Sequence, residues 1–204
     1  MSVETIAHLT YEGVRFFEEL ELAVRAQRER HDTTRHDLRP HLRRMHLVVT
    51  ALREFIQTLQ TYAKFSHFTD EDKAQLRRVQ LAVCSMRDLR QLYLLLIRRY
   101  NSSMQTKQYL NDVICGNHAL LVMIENAKLD VDLMTSHLTQ FATVEVMRQY
   151  GSLLESVDDN SQFTNDCIFT IMHHVCGDLN APETLFIPQV LETFSDIWER
   201  VSLT

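Results

Sequence analysis

Apolar side chains between positions 45 and 63 recur with helical spacing, and this run limits the possible folds more than any other feature of the chain. They follow the i, i+3, i+4, i+7 rule throughout: Met45, Val48, Val49, Leu52, Phe55, Ile56, Leu59, Tyr62 and Ala63. An α-helix gathers residues at this spacing on one face, because it turns once about every 3.6 residues. The run therefore predicts an amphipathic helix lying along a core, with Arg43, Arg53 and Glu54 on the opposite side, in water.

Two further features favour helices throughout the chain. No segment alternates strictly between apolar and polar residues, so no β-strand is predicted. The chain has 4 Gly and 3 Pro among 204 residues, too few for many tight hairpins. The segment from Leu89 to Tyr100 is apolar nearly all round, as expected of an inner helix covered on several sides. We therefore predict an all-α fold of roughly eight antiparallel helices, either an irregular HEAT/armadillo-like α-solenoid or a helical-repeat bundle.

Several predicted helix ends carry capping residues. Thr69, with Asp72 three positions later, resembles a capping box in which Asp replaces Glu. Asn160 and Ser161 are candidate N-caps of the helix that follows them. Gly177 is predicted to be the left-handed residue that ends this helix, because glycine is common directly after a helix C-terminus.

The charge of the chain bears on its partners. A formal net charge of -6 argues against nucleic acid as the main partner, since DNA-binding domains are usually basic. Arg39, Arg43 and Arg44 are still candidates for a weak contact with DNA phosphates; the alternative is a solvated face paired with nearby acids. His46 is predicted to be solvated as well. The longest apolar run, from Leu92 to Ile97, is far too short to span a bilayer.

Residues that could carry catalysis or bind a metal form no recognisable pattern. His173, His174 and Cys176 lie close together, with Cys167 upstream, but no CxxC pair and no second ligand pair accompanies them. Neither a glycine-rich phosphate loop nor a GxSxG motif occurs. Four scattered cysteines in apolar segments indicate reduced, buried thiols. The sequence therefore predicts no enzyme activity, no cofactor and no metal site.

Asn117 and His118 are an unexpected polar pair inside an apolar helix. Buried polar groups need hydrogen-bond partners. One interpretation is that the pair forms hydrogen bonds that fix the packing of neighbouring helices; the other is that it lines a protein-binding groove. We assign Asn165 and His173 to the same two alternatives, structural or partner-facing.

Two long segments resemble the central part of Timeless/Timeout-family proteins. The first is DLRQLYLLLIRRYNSSMQTKQYLNDVICGNHALLVMIEN, from Asp88 to Asn126. The second is HLTQFATVEVMRQYGSLLESVDDNSQFTNDCIFTIMHHVCGDLNAPETLF, from His137 to Phe186. The stretch LRRMHLVVTALREF, Leu42 to Phe55, fits the helix before them. Members of this family are far longer, so residues 1–204 are interpreted as a single helical-repeat region from a longer protein.

The resemblance implies an α-helical scaffold that binds partners in the nucleus. In the replicative branch, such a protein pairs with Tipin in the fork protection complex, which travels with the replisome and supports DNA replication, fork stability and checkpoint signalling. In the insect circadian branch, the related protein pairs with Period and is degraded after light through cryptochrome. The block NSQFTNDCIFTIMHH, Asn160 to His174, is closer to the replicative branch. The fork scaffold is therefore the predicted function, and a circadian regulator is the alternative.

Overall fold

Helices account for most of the residues that the structure, a computed structural model, describes: 2–29, 37–65, 67–128 and 131–202. The α-helices are α1 (Val3–Glu29), α2 (Arg39–Tyr62), α3 (Asp70–Ser85), α4 (Arg87–Arg98), α5 (Lys107–Ala127), α6 (Val131–Thr139), α7 (Val144–Leu154), α8 (Gln162–His173) and α9 (Pro188–Ser202). A π-helical turn, His174–Asp178, and a 3-10 turn, Pro182–Leu185, connect α8 to α9. The described residues contain no strand, and the predicted all-α helical-repeat fold is confirmed.

Helix α5 lies at the centre of the fold. It packs against α2, α3, α4, α6, α7 and α8, and its contact with α2 is the most extensive in the molecule. Buried residues occur on every side of α5, from Tyr109 to Ala127. Helix α4 is also largely buried, as predicted for Leu89 to Tyr100, but its Arg87 and Asp88 are exposed. The longer α5 is therefore the helix that its neighbours surround, and the helices form a bundle around it.

Helix α2 buries the predicted apolar face as far as Leu59. Beyond Leu59 the apolar face is no longer buried, and Tyr62 is 39% exposed. None of the described helices combines the length and the apolar character needed to cross a membrane.

The helix ends confirm two of the three capping predictions. The Thr69 side chain accepts a hydrogen bond from the Asp72 backbone N–H, and Asp72 accepts one from the Thr69 N–H, which completes the capping box. Ser161 is the N-cap of α8, where its side chain accepts from the Thr164 N–H at 3.1 Å. The prediction for Gly177 was wrong, since no glycine in the described chain has positive φ.

The helical conformation does not end at Gly177, because α8 is followed directly by the π-helical turn His174–Asp178. The Leu179 N–H donates to the His174 carbonyl five residues earlier, at 3.0 Å. Asn180, and not Gly177, adopts the left-handed conformation, with φ of 50°. Asparagine tolerates this region better than most residues, because its short polar side chain can form local hydrogen bonds.

Gly116 allows α5 to approach Tyr93 of α4 closely. An ideal Cβ at position 116 would lie 2.5 Å from the Tyr93 hydroxyl oxygen. Tyr93 is fully buried, so its ring has no free space to move into. We expect Gly116→Ala to lower the free energy of unfolding by about 1–3 kcal/mol, because the core becomes overpacked. Urea-induced unfolding followed by circular dichroism measures this change.

Two further variants test that explanation. Tyr93→Phe removes the hydroxyl that would meet the new Cβ, and this hydroxyl has no hydrogen-bond partner among the described residues. The double variant Gly116→Ala/Tyr93→Phe should therefore recover part of the lost stability, while the ring atoms Cε1 and Cζ, 2.9 and 3.0 Å from the new Cβ, still oppose it. Gly177→Ala is the matched control, because a Cβ there would lie 3.7 Å from His173 Cε1, which is an ordinary contact. A double variant as unstable as Gly116→Ala alone would contradict the explanation.

Candidate functional site

A buried carboxylate joins the two central helices. Asp112 of α5 is 3% exposed and faces α2. Its Oδ1 accepts from Arg53 Nη1 at 2.6 Å and from Gln108 Nε2 at 2.8 Å. Its Oδ2 accepts from Thr50 Oγ1 at 3.1 Å and lies 3.0 Å from His46 Nε2. We call these five residues the Asp112 network.

The Asp112 network corrects two sequence-based predictions. Arg53 and His46 were predicted to lie in water, but their side chains are only 21% and 32% exposed and both contact Asp112. Four polar side chains contact the two carboxylate oxygens. The arrangement holds α2 against α5. Asp112 is one of two acids in α5, together with Glu125, and nothing in the sequence indicated which residues are its partners.

Two of the predicted polar positions, Asn117 and Asn165, form hydrogen bonds to neighbouring parts of the fold. Asn117 is fully buried, and its Nδ2 donates to the Tyr150 hydroxyl of α7 at 3.3 Å. Asn165 Nδ2 donates to the Val157 carbonyl at 2.8 Å, and its Oδ1 accepts from Asn160 Nδ2 at 3.0 Å. Asn117 therefore links α5 to α7, and Asn165 holds the connection between α7 and α8. For both residues the geometry favours the packing interpretation.

His118, by contrast, faces an open cleft of about 430 Å³. Its ring meets the Phe163 ring edge-on, with centroids 5.8 Å apart, and burial lowers the pKa of His118. The cleft lies between α2, α3, α5 and α8 and is lined by Gln60, Ala63, Lys64, Arg77, Gln80, Leu81, His118, Val122, Asn126, Ala127 and Phe163. Lys64 and Arg77 are cations, and no carboxylate belongs to the described lining. We call this surface the His118 cleft.

Three aromatic side chains form a cluster beside the His118 cleft, at the end of α2. The ring centroids of Tyr62, Phe65 and Phe68 lie 5.7–6.0 Å from one another. Tyr62 and Phe65 are 39% and 43% exposed, and Phe163 in the cleft is 45% exposed. Aromatic residues and arginine are enriched in protein–protein interfaces.

His173 and the residues near it do not converge on a metal position. His173 is exposed at the end of α8, and its ring centroid lies 6.3 Å from that of His174. His174 Nδ1 instead contacts Asp178 at 2.5 Å across the π-helical turn, and this hydrogen bond lowers the pKa of Asp178. Among the described residues, no three His, Cys, Asp or Glu side chains are arranged to hold a metal ion.

The three candidate phosphate-facing arginines have separate surroundings. Arg39 pairs with Asp37 at 2.8 Å, and Arg44 lies 3.9 Å from Glu19 of α1. Arg43 is exposed and lines a different cleft, beside Met104. Two of the three charges are therefore next to carboxylates, as in the solvated-face alternative.

Comparison with known proteins decides the family. The chain is 49% identical over 203 residues, 98% of its length, to Protein timeless of Drosophila melanogaster. The chain belongs to the Timeless family. It is also 47% identical over 199 residues to Protein timeless of Drosophila hydei, and residues 144–204 match the family model described as TOF1-like, helical domain. The sequence resemblance to Timeless is thereby confirmed. The chain spans 14% and 28% of the lengths of these two relatives.

Proposed function

We propose that this Timeless segment is a protein-binding scaffold and that the His118 cleft, with its aromatic cluster, receives the partner. The observation that carries the proposal is the cleft itself: exposed Phe163 and two cations at the meeting point of four helices. Helical-repeat proteins bind partners through such extended surfaces. The network around Asp112 supports a rigid surface, because it joins α2 to α5, two of the helices that form the cleft.

A circadian role, with Period and cryptochrome as partners in the nucleus, is the first form of this proposal. It is supported by the two relatives, which are both insect proteins named timeless, at 49% and 47% identity over nearly the whole chain. The family resemblance assigns Period binding to the insect branch. The circadian role is therefore proposed ahead of the replicative role, whereas the sequence block from Asn160 to His174 favoured the replicative role.

A scaffold of the replication fork protection complex, with a Tipin-like protein and replisome components as partners, is the second form. The block NSQFTNDCIFTIMHH supports it, because this block is closer to the replicative branch. The block lies in the stretch that matches the TOF1-like helical domain.

Co-precipitation from nuclear extract tests both forms. The full chain is incubated at moderate salt with nuclease present, and bound proteins are identified by mass spectrometry. Recovery of Period or cryptochrome without replication factors supports the clock form, whereas a Tipin-like protein with replisome components supports the fork form. A partner that disappears on nuclease treatment would point to DNA as the bridge.

Two matched variants test the surface. Phe163→Ala in the His118 cleft should lower partner recovery by about tenfold, the usual effect of truncating an aromatic anchor in an interface. Phe186→Ala removes an equally large ring that is 68% exposed but does not line the cleft, and should leave recovery unchanged. Equal recovery with both variants would place the partner on another surface.

A further inference from the structure

A second groove, of about 520 Å³, differs from the His118 cleft in its charge. It lies between α1, the connection from α4 to α5, α7 and the start of α9. Three arginines line it, Arg98, Arg99 and Arg148, against one carboxylate, that of Glu21. None of the three arginines forms an ion pair with a described carboxylate, and only Arg98 has a hydrogen bond, to the Gln140 carbonyl at 2.9 Å. This is a concentration of positive charge in a chain whose net charge is -6.

Ser102 lines the same groove from the α4–α5 connection. It is exposed, and its hydroxyl forms no hydrogen bond with the described residues, whereas the neighbouring Ser103 hydroxyl is bound to Asn101 Oδ1 at 2.7 Å. Arg98 and Arg99 precede Ser102 by four and three residues. Protein kinases select substrates partly by such charge patterns, and arginines just before the acceptor suit kinases with acidic substrate-binding subsites.

Helix α5 begins five residues after Ser102. α5 is a helix of 21 residues whose first turn, beginning at Lys107, contains no acidic residue. The positive end of its dipole is therefore not compensated from within the helix. Lys107 itself donates to the Ser156 hydroxyl at 2.8 Å, a neutral partner.

We propose that Ser102 is a phosphorylation site and that the groove lined by Arg98, Arg99 and Arg148 receives its phosphate. A protein-serine kinase that prefers basic substrates transfers the γ-phosphoryl group of ATP to Ser102. The Ser102 Oγ forms a bond to the γ-phosphorus while the bond from that phosphorus to the β,γ-bridging oxygen breaks. ADP leaves, and the hydroxyl proton passes to the kinase base. The phosphate dianion then accepts charge-assisted hydrogen bonds from guanidinium groups and fixes the α4–α5 connection against α7. This inference does not depend on the proposed function.

Phosphorylation in vitro and phosphorus NMR test the proposal. The full chain is incubated with magnesium, ATP and a serine kinase that selects arginine three residues before the acceptor, and the product is mapped by mass spectrometry. We expect phosphate on Ser102. The second phosphate pKa, about 6 in a free phosphoserine, should then be lower by about 1 unit, because guanidinium groups favour the dianion.

A variant of Arg148 distinguishes binding of the phosphate in the groove from recognition of Ser102 by the kinase. Arg148 lies far from Ser102 in sequence but lines the same groove. Arg148→Gln should be phosphorylated at the same rate but return the phosphate pKa most of the way towards its free value. Arg87→Gln, an exposed arginine outside the groove, is the matched control and should behave as the wild type. The proposal would be overturned by phosphate on Ser103 alone or by the absence of phosphate on Ser102. It would also be overturned if the phosphate pKa were the same with and without Arg148.

Discussion

Replacing Asp112 with alanine is expected to lower the free energy of unfolding by about 3–5 kcal/mol, the loss usual for breaking a buried ion pair. Asp112 is 3% exposed and accepts from Arg53 at 2.6 Å, a guanidinium group that also pairs with the exposed Glu54. Without the carboxylate, Arg53 Nη1 and Gln108 Nε2 lose their acceptor in the contact between α2 and α5. Urea-induced unfolding followed by circular dichroism measures the difference.

Two further variants show whether the loss comes from the buried charge. Asp112→Asn keeps the shape of the side chain and one acceptor oxygen, so it should cost less than alanine. Glu192→Ala removes an exposed carboxylate of α9 and should change the free energy of unfolding by less than about 0.5 kcal/mol. A loss for Asp112→Ala below about 1 kcal/mol would show that the Asp112 network does not hold α2 against α5.

Acid is expected to destabilise the fold through His137. This residue of α6 is 2% exposed, neither ring nitrogen has a hydrogen-bond partner in the described chain, and its ring meets Phe141 edge-on. Burial first, and then the charge of Arg90, lowers the pKa of His137 from 6.5 to about 4. The unfolded chain therefore binds a proton at a higher pH than the folded chain does.

The sign of the effect follows from proton binding. Between pH 6.5 and about 4, the unfolded state holds more protons on this residue, so the free energy of unfolding falls as the pH falls. The full loss is about 3 kcal/mol, since one pKa unit corresponds to about 1.4 kcal/mol. Above about pH 7.5, roughly one unit over the unfolded pKa, the residue is largely neutral in both states and contributes little pH dependence.

Unfolding measured as a function of pH separates His137 from the carboxylates that titrate in the same range. His137→Leu should remove the part of the acid-induced loss that belongs to this residue, while the carboxylates contribute equally to both proteins. His8→Leu replaces an exposed histidine of α1 and should keep the wild-type pH profile. If His137→Leu loses stability with acid as steeply as the wild type, the buried histidine is not the cause.

The local elements of this protein were largely predictable. The apolar spacing of α2 predicted its buried face up to Leu59, and the box at Thr69 and Asp72 predicted the start of α3. Both features depend on residues within one or two turns of a helix, where sequence distance and spatial distance agree. Gly177 failed as a predictor because the π-helical turn depends on how residues 174–181 pack, which includes a hydrogen bond from the Ala181 N–H to the Val175 carbonyl.

The candidate surfaces could be predicted only in part. His118 was identified as a polar residue inside an apolar helix, but its cleft also needs Lys64 from the turn after α2, Arg77 from α3 and Phe163 from α8. The same holds for the arginine groove, where Arg148 of α7 lies beside residues that precede it by about fifty positions. A single sequence contains no information on which distant residues become neighbours.

The sequence by itself determined the helices, the N-caps Thr69 and Ser161, the apolar faces and the Timeless family. Only the tertiary structure decided which polar residues leave water. His46 and Arg53 lie on the side of α2 that its own periodicity assigns to solvent, yet Asp112, 66 and 59 residues away, draws them into the contact with α5. The physical reason is that periodicity reports the preference of one helix, whereas burial depends on the helix that packs against it.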